Sequence, residues 1–88
     1  MEELKRVPEW ALHGKEMERT FEFADFDGAM VFVNAVAREA DAMNHHPDLD
    51  IRWNKVRVAL STHSVGGVTE LDFQLAEKID ALMPSSAP

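Results

Sequence analysis

"DLDIRWNKVRVAL", residues 48–60, decides how this chain folds. Leu49, Ile51 and Trp53 alternate with Asp48, Asp50 and Arg52, and Val56, Val58 and Leu60 alternate with Arg57 and Ala59. Successive side chains on a strand point to opposite faces, so this period of two marks two half-buried strands. Asn54-Lys55 leaves room only for a tight connection, which makes the pair an antiparallel hairpin. Trp53, in register with Leu49 and Ile51, is expected in the core.

Working outward, the period changes to that of a helix on both sides. In "DFDGAMVFVNAVAREADAMN", residues 25–44, Phe26, Met30, Val33, Ala37 and Ala40 recur at steps of four and three, flanked by Ala29 and Val36. That is the apolar stripe of a helix lying on a sheet. Asp25 or Asp27 caps its start, and Pro47 is expected to set its end by excluding His46 from the α region. After the loop "STHSVGG", Thr69 opens a second helix running to about Met83, with Leu71, Leu75, Ile79 and Leu82 inward and Pro84 as its stop. Thr69 with Asp72 fits a capping box, and Val68 with Phe73 a hydrophobic staple. Upstream, "WALHGKEMERTFEF" reads as a hairpin turning at Gly14-Lys15, with Met17, Arg19, Phe21 and Phe23 sharing a face. The order β-β-α-β-β-α predicts an α+β two-layer sandwich, a four-stranded antiparallel sheet with helices on one face. A chain of 88 residues makes one domain, with a core over about 10–83 and a short tail at 84–88.

Composition excludes several functions. The formal charge is −7, from 9 basic and 16 acidic residues, and the basic residues form no cluster beyond Lys5-Arg6. Direct nucleic-acid binding needs a basic face, so neither DNA nor RNA is expected as a partner, and an anionic membrane surface no more so. No cysteine is present, which removes disulfides, thiolate metal sites and a cysteine nucleophile. No segment reads as a signal peptide or a membrane span, and the expected location is cytoplasmic.

The polar residues that remain gather at element ends. Asp41 precedes His45 by one helical turn, His45-His46-Pro47 closes the helix, His63 follows the fourth strand, and Asp72 lies in the first turn of the second helix. Taken singly, each has a structural explanation: His45 meets the negative end of the helix dipole, and Asp72 is a cap. Together they suit proton transfer near neutral pH, with a carboxylate orienting His45. Three histidines and two carboxylates also resemble a zinc or iron donor set, although no H-x-x-x-H pair presents two ligands from one helical face.

The order Asp41, three positions, His45-His46-Pro47, five positions, Trp53, nine positions, His63, eight positions, Asp72 resembles the signature of the pterin-4a-carbinolamine dehydratase family. The flanking "ERTFEF", "FVNAVAREAD", "NKVRVALSTH" and "GGVTELD" are similar to it as well. The resemblance covers about Trp10 to Leu82. Asp41 stands where many members carry Glu, and Leu49 where several animal members carry Trp. It implies the same sheet and helices, a homodimer or homotetramer with sheets joined edge to edge, and no cofactor or metal. It also implies dehydration of a 4a-hydroxytetrahydropterin, the product of an aromatic amino-acid hydroxylase, in tetrahydrobiopterin recycling. His45, His46, His63 and Asp72 would be catalytic. Asp41, Pro47, Trp53, Ser61 and Thr62 would hold the substrate, the Ser61–His63 backbone meeting the pterin's polar edge. His45 and His63 would donate protons and His46 accept one. Some animal members also serve as dimerisation cofactors of a homeodomain transcription factor, and assembly-factor relatives keep the fold without turnover.

Overall fold

The computed structural model describes residues 3–83. A 3-10 turn, Glu3–Arg6, leads into β1 (Ala11–His13), β2 (Glu16–Glu22), α1 (Phe26–Met43), β3 (Asp48–Arg52), β4 (Lys55–Leu60) and α2 (Glu70–Leu82). The strands form one antiparallel sheet in the order β1-β2-β4-β3. This is the expected β-β-α-β-β-α architecture.

Strand register explains why the helices take one face. Met17 lies opposite Leu60, Phe21 and Ile51 opposite Val56, and Leu49 opposite Val58, so the apolar sets of three strands share a side. On that side Met17, Phe21, Val56, Val58 and Leu60 meet Ala29, Phe32, Val36 and Ala40 of α1 and Phe73, Leu75, Ala76 and Ile79 of α2 in one cluster, with Leu49 packed against it. Ile51, on the edge strand β3, is exposed rather than inward as expected. Each large side chain buried there contributes roughly 1.5–3 kcal/mol. Arg19 shares this apolar file and is accommodated by an ion pair with Asp80 (2.7 Å), which also accepts from Trp10 Nε1 (2.9 Å). The other face carries Glu18, Thr20, Asp50 and Arg57.

Several expectations need correcting. Asp25 is the cap of α1, accepting the Gly28 N–H at 2.8 Å, but the inward stripe is Ala29, Phe32, Val36 and Ala40. Phe26 and Ala37 face solvent. The ring of Phe32 sits 4.7 Å from Phe21 and 5.0 Å from Phe23, centre to centre, and this aromatic cluster turns the helix by about one residue. In α2, Leu75 and Ile79 are buried as expected, but Leu71 is exposed, and Phe73 and Ala76 are buried beside Asp72. Trp53 is not in the core: 63% of it is exposed. It is the first residue of the two-residue β3–β4 turn, with φ 53°, one position ahead of the expected Asn54-Lys55. Asn54 is pinned instead, its side chain donating to the Phe23 carbonyl and its own carbonyl accepting from Phe23 N–H, both at 2.8 Å.

The core also begins earlier than expected. Val7 is fully buried, and Arg6 clasps α2 through Glu70 (2.8 Å) and Glu77 (2.9 Å). The expected stop at Pro84 and the tail at 84–88 lie outside the described residues.

Candidate active site

The site starts at the C-terminus of α1. Asn44 has φ 52° and ψ 42°, the left-handed conformation that asparagine tolerates better than most residues. Its N–H donates to the Asp41 carbonyl, and the His45 N–H to that of Ala40, both at 3.1 Å. This pairing is a Schellman motif. The helix therefore ends at Met43, well before Pro47, and His45 lies beyond its last turn rather than in it. The chain reverses at Asn44 and sends His45 toward α2.

There it meets Asp72. His45 Nε2 lies 2.6 Å from Asp72 Oδ1, and the Asp72 side chain is wholly buried while that of His45 is 12% exposed. The remaining oxygen of Asp72, Oδ2, accepts from the Thr62 hydroxyl and from the Thr69 backbone N–H, each at 2.8 Å. A buried carboxylate is tolerated only when its oxygens are paired, and here both are. The expected link between Asp41 and His45 is corrected as well. Asp41 Oδ1 reaches His46 Nε2 at 2.9 Å, in an exposed pair on the surface side. Leaving the helix at Asn44 takes His45 off the Asp41 face and brings the next residue onto it.

His63 comes from the turn after β4. Thr62 N–H donates to Gly67 O at 2.7 Å and Gly66 N–H to Thr62 O at 2.9 Å, with Gly66 at φ +66°, so the turn closes on itself and leaves His63 exposed. The two segments flank an open hollow of about 400 Å³ lined by Asn44, His45, His46, Ser61, Thr62, His63, Ser64 and Leu71. That volume lies within the range of small-molecule sites. A second hollow, about 380 Å³, is lined by Phe23, Val31, Phe32, Leu82 and other groups with no ionisable side chain, and offers nothing to move a proton.

The three histidines, Ser61 and Thr62 thus share one hollow, and Asp72 stands behind it. Asp41 touches it only through His46. Pro47 shapes the exit into β3 without lining the hollow. Trp53 lies past the other end of β3, five residues and about 17 Å of strand away. Asn44, Ser64 and Leu71 line the hollow without being among the residues the sequence singles out. Asn44 had a signal, an αL-tolerant residue directly before the histidines; Leu71 matched the helix period and so read as core.

An acceptor-only Asp72 makes Nε2 of His45 the protonated nitrogen in the neutral ring. Among the described residues Nδ1 of His45 has no hydrogen-bond partner, and it is the nitrogen left to exchange a proton with a ligand.

The sequence model of a family described as pterin 4 alpha carbinolamine dehydratase matches residues 1–82. A protein of Acidobacterium capsulatum, provisionally named pterin-4-alpha-carbinolamine dehydratase, is 55% identical over 82 residues, 93% of this chain and 89% of that one. One of Sulfurisphaera tokodaii with the same provisional name is 52% identical, covering 93% and 88%. The crystal structure of a transcriptional coactivator/pterin dehydratase from Brucella melitensis superposes with a TM-score of 0.90 at 36% identity, covering 94% of this chain and 90% of that one. A pterin dehydratase-like RuBisCO assembly factor of the alpha-carboxysome shares the fold, with a TM-score of 0.71 at 20% identity and coverage of 88% and 89%.

Proposed function

The chain belongs to the pterin 4 alpha carbinolamine dehydratase family, and from that premise we propose that it dehydrates a 4a-hydroxytetrahydropterin by histidine acid–base catalysis. One observation carries this reading: three imidazoles line a single hollow, and one of them is held by a fully buried carboxylate.

The reaction removes water. The lone pair of N5 forms the C4a=N5 bond as the C4a–O bond breaks, the departing hydroxyl takes a proton, and N5 gives up its own. In this scheme His45 and His63 supply the proton to the hydroxyl, and His46 takes the one from N5. Asp72 keeps the His45 ring in place through both states, and Asp41 does the same for His46. Imidazole suits both roles because its ordinary pKa lies near 6.5. Acid–base groups of this kind typically contribute about 10²–10⁴-fold in rate. Ser61 takes part in holding the pterin edge, whereas the N–H and C=O of Thr62 are engaged within their own turn.

The pterin is the product of an aromatic amino-acid hydroxylase and is recycled after dehydration. The enzyme works in the cytoplasm as a homodimer or homotetramer, an assembly that would cover the edge strands of a four-stranded sheet. Neither nucleic acid nor membrane is a direct partner, in keeping with the charge of −7.

The test generates the 4a-carbinolamine in situ with a phenylalanine hydroxylase and follows its decay. The protein should accelerate decay above the spontaneous rate. His46→Ala should lower that acceleration by about 10²-fold or more with an unchanged circular dichroism spectrum. No acceleration by the wild type would leave the alternative, a non-catalytic pterin-binding or assembly role on the same fold.

A further inference from the structure

The hydrogen bonds behind the histidine hollow run in one direction. Asp72 Oδ2 accepts from Thr62 Oγ1 and from the Thr69 N–H, each at 2.8 Å, and its Oδ1 lies 2.6 Å from His45 Nε2. A hydroxyl has a single proton, and that of Thr62 goes to Asp72. The 2.7 Å contact between the two threonine hydroxyls is therefore donated by Thr69. Thr62 belongs to the turn that carries His63, Asp72 belongs to α2, and His45 follows α1. One side chain thus joins all three segments of the site.

We propose that Thr62 is a positioning residue: its hydroxyl ties the His63 turn to the Asp72–His45 pair and holds His45 in the Nε2–H tautomer with Nδ1 facing its task. With the Thr62 hydroxyl and the Thr69 N–H both donating to Oδ2, the carboxylate is held in one orientation, with Oδ1 presented to His45 as an acceptor. Without the Thr62 donor Oδ2 keeps only the Thr69 N–H, the carboxylate gains freedom to rotate away from His45 Nε2, and the imidazole loses its fixed tautomer. The activity consequence rests on the dehydratase reading. The tautomer consequence does not.

The experiment measures ring ¹⁵N shifts of His45 together with steady-state kinetics, in the wild type, Thr62→Val and Thr62→Ser. The wild-type ring should show the Nε2–H pattern. Thr62→Val, close to isosteric, should give a mixed tautomer pattern. Its kcat should fall roughly ten- to a hundredfold, the size of a small misplacement in an active site, with KM within about twofold. Thr62→Ser, which restores the hydroxyl, should return both readouts to near wild type. A wild-type ring protonated on Nδ1 overturns the proposal, even if Thr62→Val does not fold. It is equally overturned if Thr62→Val keeps the wild-type shifts and kcat, or if Thr62→Ser is as impaired as Thr62→Val. A wild type without turnover sinks the dehydratase reading alone, because the ring shifts still decide the role of Thr62.

Discussion

Asp72 concentrates most of the chemistry at the residue scale. It caps α2 through Thr69, anchors the His63 turn through Thr62 and orients His45, all from a fully buried position. Asp72→Asn preserves the shape and reverses half of the polarity. The amide oxygen can replace Oδ2 toward Thr62 and Thr69, which leaves the NH₂ facing His45 Nε2 and forces that nitrogen to accept. The expected result is a folded protein destabilised by about 1–3 kcal/mol and slowed by about 10²–10⁴-fold, read by denaturant unfolding and by carbinolamine decay. A variant that loses stability yet keeps its rate would make Asp72 a cap and nothing more. This double role was half legible from sequence. The spacing Thr69-x-x-Asp72 announces a cap, but its second oxygen has a partner 27 residues away, and no local pattern encodes that.

The deciding feature among the elements is where α1 stops. Pro47 is the conspicuous breaker, yet Asn44 ends the helix by entering the left-handed region, and a Schellman pair closes it. Two outcomes follow. Pro47→Ala should leave the helix content unchanged by circular dichroism, because the α1 terminus does not depend on the ring. Asn44→Ala should cost about 1–2 kcal/mol, the penalty of placing a Cβ residue in that conformation, while Asn44→Gly should be neutral or stabilising. Unfolding midpoints of the three variants check this, and equal effects of Ala and Gly would mean that the backbone angle is not what matters. The early stop also explains the exchange of partners at the site. A helix extended through His45 would set it one turn above Asp41, whereas the reversal at Asn44 gives Asp41 to His46 and frees His45 for Asp72.

The whole molecule is closed by its N-terminal segment. Arg6 bridges Glu70 and Glu77 and lies 5.9 Å over the Phe73 ring, and Val7 behind it is fully buried. The guanidinium holds both carboxyls below their ordinary value, chiefly by direct hydrogen bonds. Their contribution to stability is therefore complete above the usual glutamate value of 4.5 and is lost as the pH falls through the lowered values beneath it. Arg6→Ala should lower Tm by a few degrees near pH 7. The gap should close in acid and narrow in about 1 M salt, since these groups are solvent-accessible and screened. A gap independent of both would assign the effect to packing of Arg6 on Phe73 instead. No described helix is long and apolar enough to cross a membrane.

What the amino-acid order determined by itself was everything carried by local period and local chemistry: four strands, two helices, an aspartate cap on α1 at Asp25 or Asp27, the Thr69 cap, and the inward faces of β2 and β4. These follow from interactions between residues one to four positions apart, or from alternation along a strand, and so can be read along the line. Only the tertiary structure decided the rotation of α1, which depends on Phe32 meeting Phe21 and Phe23, and the exposure of Leu71 and Trp53. It also decided which carboxylate serves which histidine. Asp41 lies nearer His45 in the sequence, but Asp72 reaches it, because a single left-handed residue redirects the chain and burial leaves that carboxylate dependent on whatever donors the fold brings to it.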